Sequence, residues 1–584
     1  MKDFIYNIVS SKKNRRMVGF IVLFLLVFAV AMIPTKLVLA KMLPGKSANT
    51  FSIYVDTATN STVKHTKEVV ACVSKILQKE ENIKNMEMFI GQGAPLDYAG
   101  LVKGSEFKSL KNQAEIVVNL TDKHKRDEPS FMMVHRLRPI VQDQCEVNDE
   151  GTSIKFVEMP SGPPTFATVQ VNLFGKDTDL LRKTSHTVFQ ALKETKGLVD
   201  VDIMEDDIFV RYEILPNVEK IINSHLSVDQ VSRILFLAFK GNIVATKNST
   251  QQQGQIPIYV SLDKKTRTLE HSSKEDLELK LSRLKLLNQM GMMIPIKEVV
   301  SIVPMLSEPT IYKKNMHYVS SVTAECDLVS QVYPLMDARE LMIQKLSKDF
   351  NVTRLTGFST YMFDLALTQK KTGKKILARW EGEMKVSLDT FRDLGGAFIA
   401  ALVLMFLLMV VYYKSFALSG IVLIGSFLSI IGVIIGHFIT DKIFLLYSGM
   451  NFYLTATSLI GFISLMGISA RSSLLLIDFT KALIETGVEK YEAIAVATAT
   501  RSKPILLTAV AIILGSLLLA TDPIFGGLGI ALIFGSIAST LVSLFYIPVL
   551  MAKTVAICPE NGAIKCEEGE GKSADEVDLK EIAP

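Results

Sequence analysis

Gly461-Phe-Ile-Ser-Leu-Met-Gly467-Ile-Ser-Ala-Arg471-Ser-Ser-Leu-Leu-Leu-Ile-Asp478-Phe479 is the stretch on which the fold turns. It closes an apolar run, Asn451–Phe479, long enough at 1.5 Å per residue to cross about 30 Å of hydrocarbon. Arg471 lies deep inside it. An arginine near the bilayer centre costs about 2.5–3.5 kcal/mol, so it should face a protein partner or a water-filled cavity, as in an ion or proton pathway. The plainer alternative is an arginine that snorkels to the headgroups. Asp478 follows seven residues later on a similar face, where an ordinary interfacial carboxylate is the plain reading. Gly461 and Gly467 permit close helix approach.

Working outward, Leu394–Tyr413, Phe416–His437, Ile505–Ala520 and Ile524–Met551 are further apolar runs of spanning length. Met17–Ile33 is another, far upstream, with Lys12, Lys13, Arg15 and Arg16 directly before it. No small-x-small cleavage site follows closely, so it reads as a retained helix with a cytoplasmic N-terminus. Arg501 and Lys503 open the fifth span before Pro504, and Thr508 stands two turns after Arg501, placed to hydrogen-bond inside the bundle. Basic residues concentrate in the segments Tyr412–Ser415 and Lys481–Lys503, which puts both termini in the cytoplasm and the large segment between the first two spans outside. As read, no span has an acid at its centre.

Composition agrees with a chain in two parts. It has 584 residues, net charge +5, 49% hydrophobic and 21% charged residues, with a mean hydropathy of +0.30. A purely soluble enzyme and a disordered scaffold are both excluded. The five cysteines show no CxxC pair and no Cys/His zinc spacing, so no metal or cofactor is assigned. They read as separate thiols, with one bridge among Cys72, Cys145 and Cys326 left open. No Walker A motif is present.

The outer segment repeats one order of elements. Phe51–Val55, helix Thr62–Gln78, Met86–Ile90, Ala114–Leu120, helix Phe131–Val141 and Ser153–Glu158 give β-α-β-β-α-β, the split βαβ or ferredoxin-like order. A second copy starts with strand Thr168–Phe174, helix Thr178–Thr195, the stop residue Gly197 and strand Leu198–Met204. It resumes with Val319–Glu325, helix Ala338–Asp349 and strand Thr353–Phe358. Roughly Phe209–His317 interrupts it, with its own helix near Lys274–Leu287. His135 and His65 read as residues of solvated helix faces.

GFISLMGISARSSLLLIDF and TRSKPILLTAVAIILGSLLLA resemble the tenth and eleventh spans of RND-superfamily efflux transporters, and IFGGLGIALIFGSIASTLVSLFYIPVL resembles the twelfth. GPPTFATVQVNLFGKD, from Gly162, is similar to the start of the second C-terminal porter subdomain. The resemblance covers nearly the whole chain, but only the C-terminal half of a full-length permease. It implies an α-helical membrane bundle of six spans, one and then five, plus a periplasmic α+β domain of ferredoxin-like porter units with an inserted docking subdomain. The expected bounds are a basic cytoplasmic N-terminus (1–16), the first span (17–40), a first porter subdomain (41–165), a second (166–208 and 318–390), the docking insert (209–317), the five-span bundle (391–551) and a polar cytoplasmic tail (552–584).

The resemblance also implies roles. Arg471 matches the relay lysine of the tenth span, and Arg501 and Thr508 match the relay arginine and threonine of the eleventh. With Asp478 they form the expected proton relay. Arginine stays protonated and does not itself release a proton. The carrier acids of the family belong to the N-terminal half. A complementary half-subunit with an intramembrane acidic pair is therefore an expected partner, beside a periplasmic adaptor, an outer-membrane channel, the lipid bilayer and a small amphiphilic substrate. The expected assembly is trimeric, in the inner membrane, driven by proton antiport, without nucleic acid. Two alternatives are a heavy-metal exporter, invited by 24 methionines including Met132, Met133, Met290, Met292 and Met293, and a SecD-like protein-export accessory subunit, which would carry an aspartate where Arg471 stands.

Overall fold

The computed structural model describes residues 1–146, 151–159, 162, 165–251, 254–263, 273–330, 332–355 and 363–558. Most of the expected polar tail, with its acids Glu567, Glu568, Glu570 and Asp575, and the end of the expected strand Thr353–Phe358 lie outside these. The chain divides into two compact units, Met1–Met204 together with the chain from Ile311 on, and Glu205–Thr310.

In the first unit, six helices are long and apolar enough to cross a membrane: Lys12–Ala31, Glu383–Tyr413, Phe416–Ser448, Ala456–Glu485, Lys490–Ala520 and Gly526–Lys553. They are called the first to sixth spans below. Several run well past their apolar cores. The fifth starts at Lys490 rather than Ile505, so Arg501 and Pro504 lie inside it and not at its mouth. Most of the expected loop Lys481–Lys503 is helix, because its alanines and its long charged side chains favour helix while the charges keep its mean hydropathy low. The third span is two helices, Phe416–Phe427 and Ile430–Ser448, and it does not stop at His437. It ends only at Gly449, in the left-handed region at φ +68°. That extension carries Asp441, an acid absent from the spans as first delimited.

A further helix, Lys2–Ser10, replaces the expected plain basic arm. Ile5 and Val9 on it are fully buried, and Lys2 pairs with Glu492 of the fifth span at 3.0 Å.

The first sheet holds Thr50–Asp56, Ile83–Ile90, Gln113–Leu120 and Ser153–Glu158, antiparallel, in the spatial order second, third, first, fourth. Helices Val63–Leu77 and Ser130–Cys145 cover one face. Val69, Val73 and Leu77 from one and Met133, Leu137 and Val141 from the other bury against Ile53, Val55, Ile116 and Val118. The same two helices carry Cys72 and Cys145, which form a disulfide across 73 residues of sequence. This corrects the reading as separate thiols. The pair is brought together by the strand order, which no sequence spacing records.

The second sheet has seven strands. Val169–Gly175 runs between His317–Cys326 and Lys375–Glu381, and Leu198–Ile203 pairs with the far side of His317–Cys326. Beyond Lys375–Glu381 come Leu365–Gln369 and then Phe350–Arg354. The strand expected at Thr353–Phe358 therefore does not close this unit. Phe350–Arg354 lies at the sheet edge, and Lys375–Glu381, whose Ile376, Ala378 and Trp380 alternate inward, takes the place beside Val169–Gly175. Helices Thr178–Lys193 and Val332–Leu346 pack on this sheet.

Glu205–Thr310 is built around Val210–Pro216 paired with Val300–Leu306 and the helix Val228–Phe239, opened by a Ser227/Gln230 capping box. Ile221, Val231, Leu281, Ile296 and Val299 form its core. The hairpin Asn242–Lys247/Ile256–Val260 exposes Ile243, Val244, Ile258, Tyr259 and Val260.

Candidate functional site

Helix packing places the polar groups of the bundle. Gly461 lies against the sixth span, where an added Cβ would stand 3.0 Å from the Ala531 methyl and 3.2 Å from the Leu528 carbonyl oxygen. Gly467 faces open space, with nothing described within 4 Å, so it contributes no close approach within the described chain. The tightest approaches are elsewhere. Gly432 and Gly436 of the third span press on Phe534 of the sixth, and Gly535 presses on Leu465 of the fourth. Gly432-Val-Ile-Ile-Gly436 is a GxxxG pattern, the available signal for this interface.

The four expected relay residues are not joined. Arg471 is exposed on the fourth span and pairs with no carboxylate among the described residues. Asp478 is half-buried and accepts a hydrogen bond from the Tyr412 hydroxyl at 3.3 Å. The Arg501 guanidinium stacks 4.8 Å from the Phe479 ring centroid, with its Nε buried and unsatisfied. Thr508 is exposed and donates to the Pro504 carbonyl, one turn back, at 2.9 Å. With Ser472, Ser536, Ser539 and Thr540 it lines a cavity of about 10 Å³ between the fourth, fifth and sixth spans.

A far larger cavity, of about 920 Å³, lies where both sheets meet the chain just outside the spans. Phe131, Phe156, Phe444, Phe452 and Tyr453 give it aromatic walls, and Lys41, Lys103, Arg138, Glu158, Glu325 and Glu383 bring charge to it. Glu325 is held by Lys103 at 2.7 Å and by the Thr168 hydroxyl. Burial pushes the Glu158 carboxyl up to about 7; Arg138 and Lys41 pull it down, and Glu325 and Asp327 push it further up.

Beside the cavity an ionic seam joins the two sheets. Arg138, 5% exposed, gives Nε to Asp200 at 3.2 Å and a terminal nitrogen to Asp327 at 2.8 Å. Asp200 also accepts from the Phe156 amide and the Gln142 side chain. Its φ of +51° is a left-handed conformation that aspartate tolerates better than most residues. His135 is exposed on its helix and bonds Asp327 through Nδ1 at 2.6 Å.

Sequence reasoning missed the cavity charges, which come from five separate elements and one connecting segment, and it missed His437. The criterion that singles out Arg471, an ionisable group inside an apolar run, applies equally to His437.

A family model described as AcrB/AcrD/AcrF family matches residues 3–554. The chain is 23% identical over 517 residues to the Swarming motility protein SwrC of Bacillus subtilis (strain 168), covering 88% of this chain and 43% of that protein. It is 30% identical over 153 residues to the Multidrug export protein AcrF of Escherichia coli (strain K12), covering 25% and 14%. With the Multidrug resistance protein MdtC of Proteus mirabilis (strain HI4320) it shares 21% over 451 residues, covering 75% and 39%. A heavy metal efflux pump solved in two crystal forms superposes with TM-scores of 0.70 and 0.69 at 16% identity, over 94% of this chain and 51% of that one. The chain thus spans about half the length, or less, of the relatives it matches. With six apolar helices, a sheet-rich domain and a family match across nearly all its length, the chain belongs to the AcrB/AcrD/AcrF family of RND permeases.

Proposed function

We propose that this chain is the permease half of a proton-driven RND efflux pump that exports an amphiphilic small molecule. The observation that carries the reading is Arg471. It stands exposed on an apolar helix, and no described carboxylate neutralises it. A cation left so in lipid is costly, whereas opposite an intramembrane acid it becomes the basic partner of a relay. The acids come from a complementary half facing the fourth and fifth spans, and Arg501, Thr508 and Asp478 complete the polar face offered to it.

The large cavity, with aromatic walls and a few charges, has the size and chemistry of a chamber for an amphiphile. The β-α-β-β-α-β order of the first sheet, and the same order extended by two further strands in the second, support their reading as ferredoxin-like porter units, and the separate compactness of Glu205–Thr310 supports its reading as a docking insert. A disulfide in the first sheet unit fits an oxidising compartment, hence a periplasmic domain, an inner-membrane bundle and cytoplasmic termini. A periplasmic adaptor, an outer-membrane channel and a trimeric assembly follow from the family.

The test is proton flux in vesicles containing this chain with and without the half that co-purifies with it. Flux only with both, lost in Arg471→Met, is the expected result. Robust flux from this chain alone, unaffected by Arg471→Met, overturns the reading.

A further inference from the structure

His437 is fully buried in the third span, and both its ring nitrogens are engaged. Nδ1 lies 2.8 Å from the Val433 carbonyl oxygen, which can only accept, so Nδ1 carries a hydrogen. Nε2 lies 2.9 Å from the Ser458 hydroxyl, which can either donate or accept. The Ser458 hydroxyl is in turn 3.0 Å from the Thr455 hydroxyl, and Thr455 lines the large cavity. These hydroxyls belong to the capping box that opens the fourth span, so the helix start itself fixes their positions.

We propose that His437 is a proton-binding site of the bundle, reached from the large cavity through the Thr455 and Ser458 hydroxyls. A proton arriving at Thr455 Oγ1 releases that hydroxyl's own proton to Ser458 Oγ. Ser458 passes its proton to the Nε2 lone pair. The product is an imidazolium that donates from Nδ1 to Val433 and from Nε2 to Ser458, with one positive charge gained and no heavy atom moved. Each partner keeps a hydrogen bond in both states, which is what separates a relay from a merely satisfied core histidine.

The charged groups around the site are few. On its own helix Asp441, 3% exposed, follows one turn later, accepts from the Phe452 amide at 2.8 Å and pairs with Lys442 at 3.0 Å. The sixth span has no charged residue over 526–541. The first charge on the fourth span is Arg471, about 20 Å along the helix from Ser458. The charges of the first span all fall at its far start, Lys12 to Arg16. The connecting segments add Tyr453, with Lys41 over its ring, and Asp522. Asp441 is thus the nearest described counter-charge along the helix. This site is separate from the Arg471 face, and it stands whether or not a complementary half supplies acids.

The test is nitrogen NMR of the full chain, histidine-labelled, in lipid bilayers, with His437 assigned by His437→Asn or, should that variant not fold, by the resonance that Ser458→Ala shifts. At about pH 8 one ring is expected with only Nδ1 protonated, converting to the doubly protonated form as the pH is taken down to about 3. Ser458→Ala is expected to slow Nε2 proton exchange by about tenfold or more, and Thr455→Ser to leave it unchanged. An imidazole still neutral at about pH 3 overturns the site. Unchanged exchange in Ser458→Ala overturns the path.

Discussion

His437 and Arg471 are both ionisable residues set in apolar helices of one bundle, and the protein treats them in opposite ways. Around His437 the third, fourth and sixth spans close to glycine distance, and every polar atom of the ring has a partner. Around Arg471 and Thr508 the helix surfaces stay open, with Leu507 73% and Leu518 81% exposed on the same fifth span. A polar group sealed inside a finished interface must be satisfied by its own chain. One left on an unfinished face can wait for charge from elsewhere.

The comparison breaks most visibly at the glycines. Gly436→Leu drives a side chain into Phe534 and should cost about 3 kcal/mol or more, whereas Gly467→Leu, into open space, should cost less than about 0.5. Thermal unfolding of both variants in lipid nanodiscs measures the gap; equal effects would mean the open face is as filled as the closed one. Arg471→Met comes next. Removing an unneutralised charge should stabilise the isolated chain by about 2 kcal/mol while abolishing association with a complementary half. Unfolding midpoints and co-purification give the two readouts.

Between the two regions stands the cavity mouth. The Glu158 carboxyl is raised to about 7 from a usual 4.5. A raised folded value means its stabilising contribution is complete below about pH 4.5 and is lost as pH climbs through about 7. Glu158→Gln should therefore flatten the decline in stability between about pH 5 and 8, worth about 2 kcal/mol for the wild type. A decline of unchanged depth in the variant would assign it to another group. The smallest effect sharpens the contrast on one helix. Ser458→Ala leaves a buried ring nitrogen unsatisfied and should cost about 1–2 kcal/mol; Ser472→Ala, whose hydroxyl only bonds back to Ile468 at 3.4 Å, should cost nearly nothing. Denaturant titrations of the pair decide it.

What sequence could show followed the range of the physics involved. Apolar runs and alternating strands are local, so the spans and most strands of both sheets stand near their expected places. Helix ends were misplaced wherever good helix formers carried on past the apolar stretch, as at Lys490–Lys503, or where a glycine rather than a polar residue ended the helix, as at Gly449. The closing strand of the second sheet, KILARWE, carried the alternating signal in Ile376, Ala378 and Trp380 and was passed over for the earlier run Thr353–Phe358. The site was less legible still. Glu158, Glu325 and Glu383 belong to different elements, and only the three-dimensional chain brings them to one cavity. The Cys72–Cys145 pair is invisible for the same reason.

That disulfide has a mechanical consequence. It fastens the two helices that cover the first sheet, across a sequence separation of 73. A pull transmitted through the strands Thr50–Asp56 and Ser153–Glu158, at either end of that sheet unit, can draw out only the residues outside the loop. About 250 Å of contour length stays locked behind the bridge however hard the ends are drawn. Under load the first sheet unit is a link that can lengthen only outside the bridged loop.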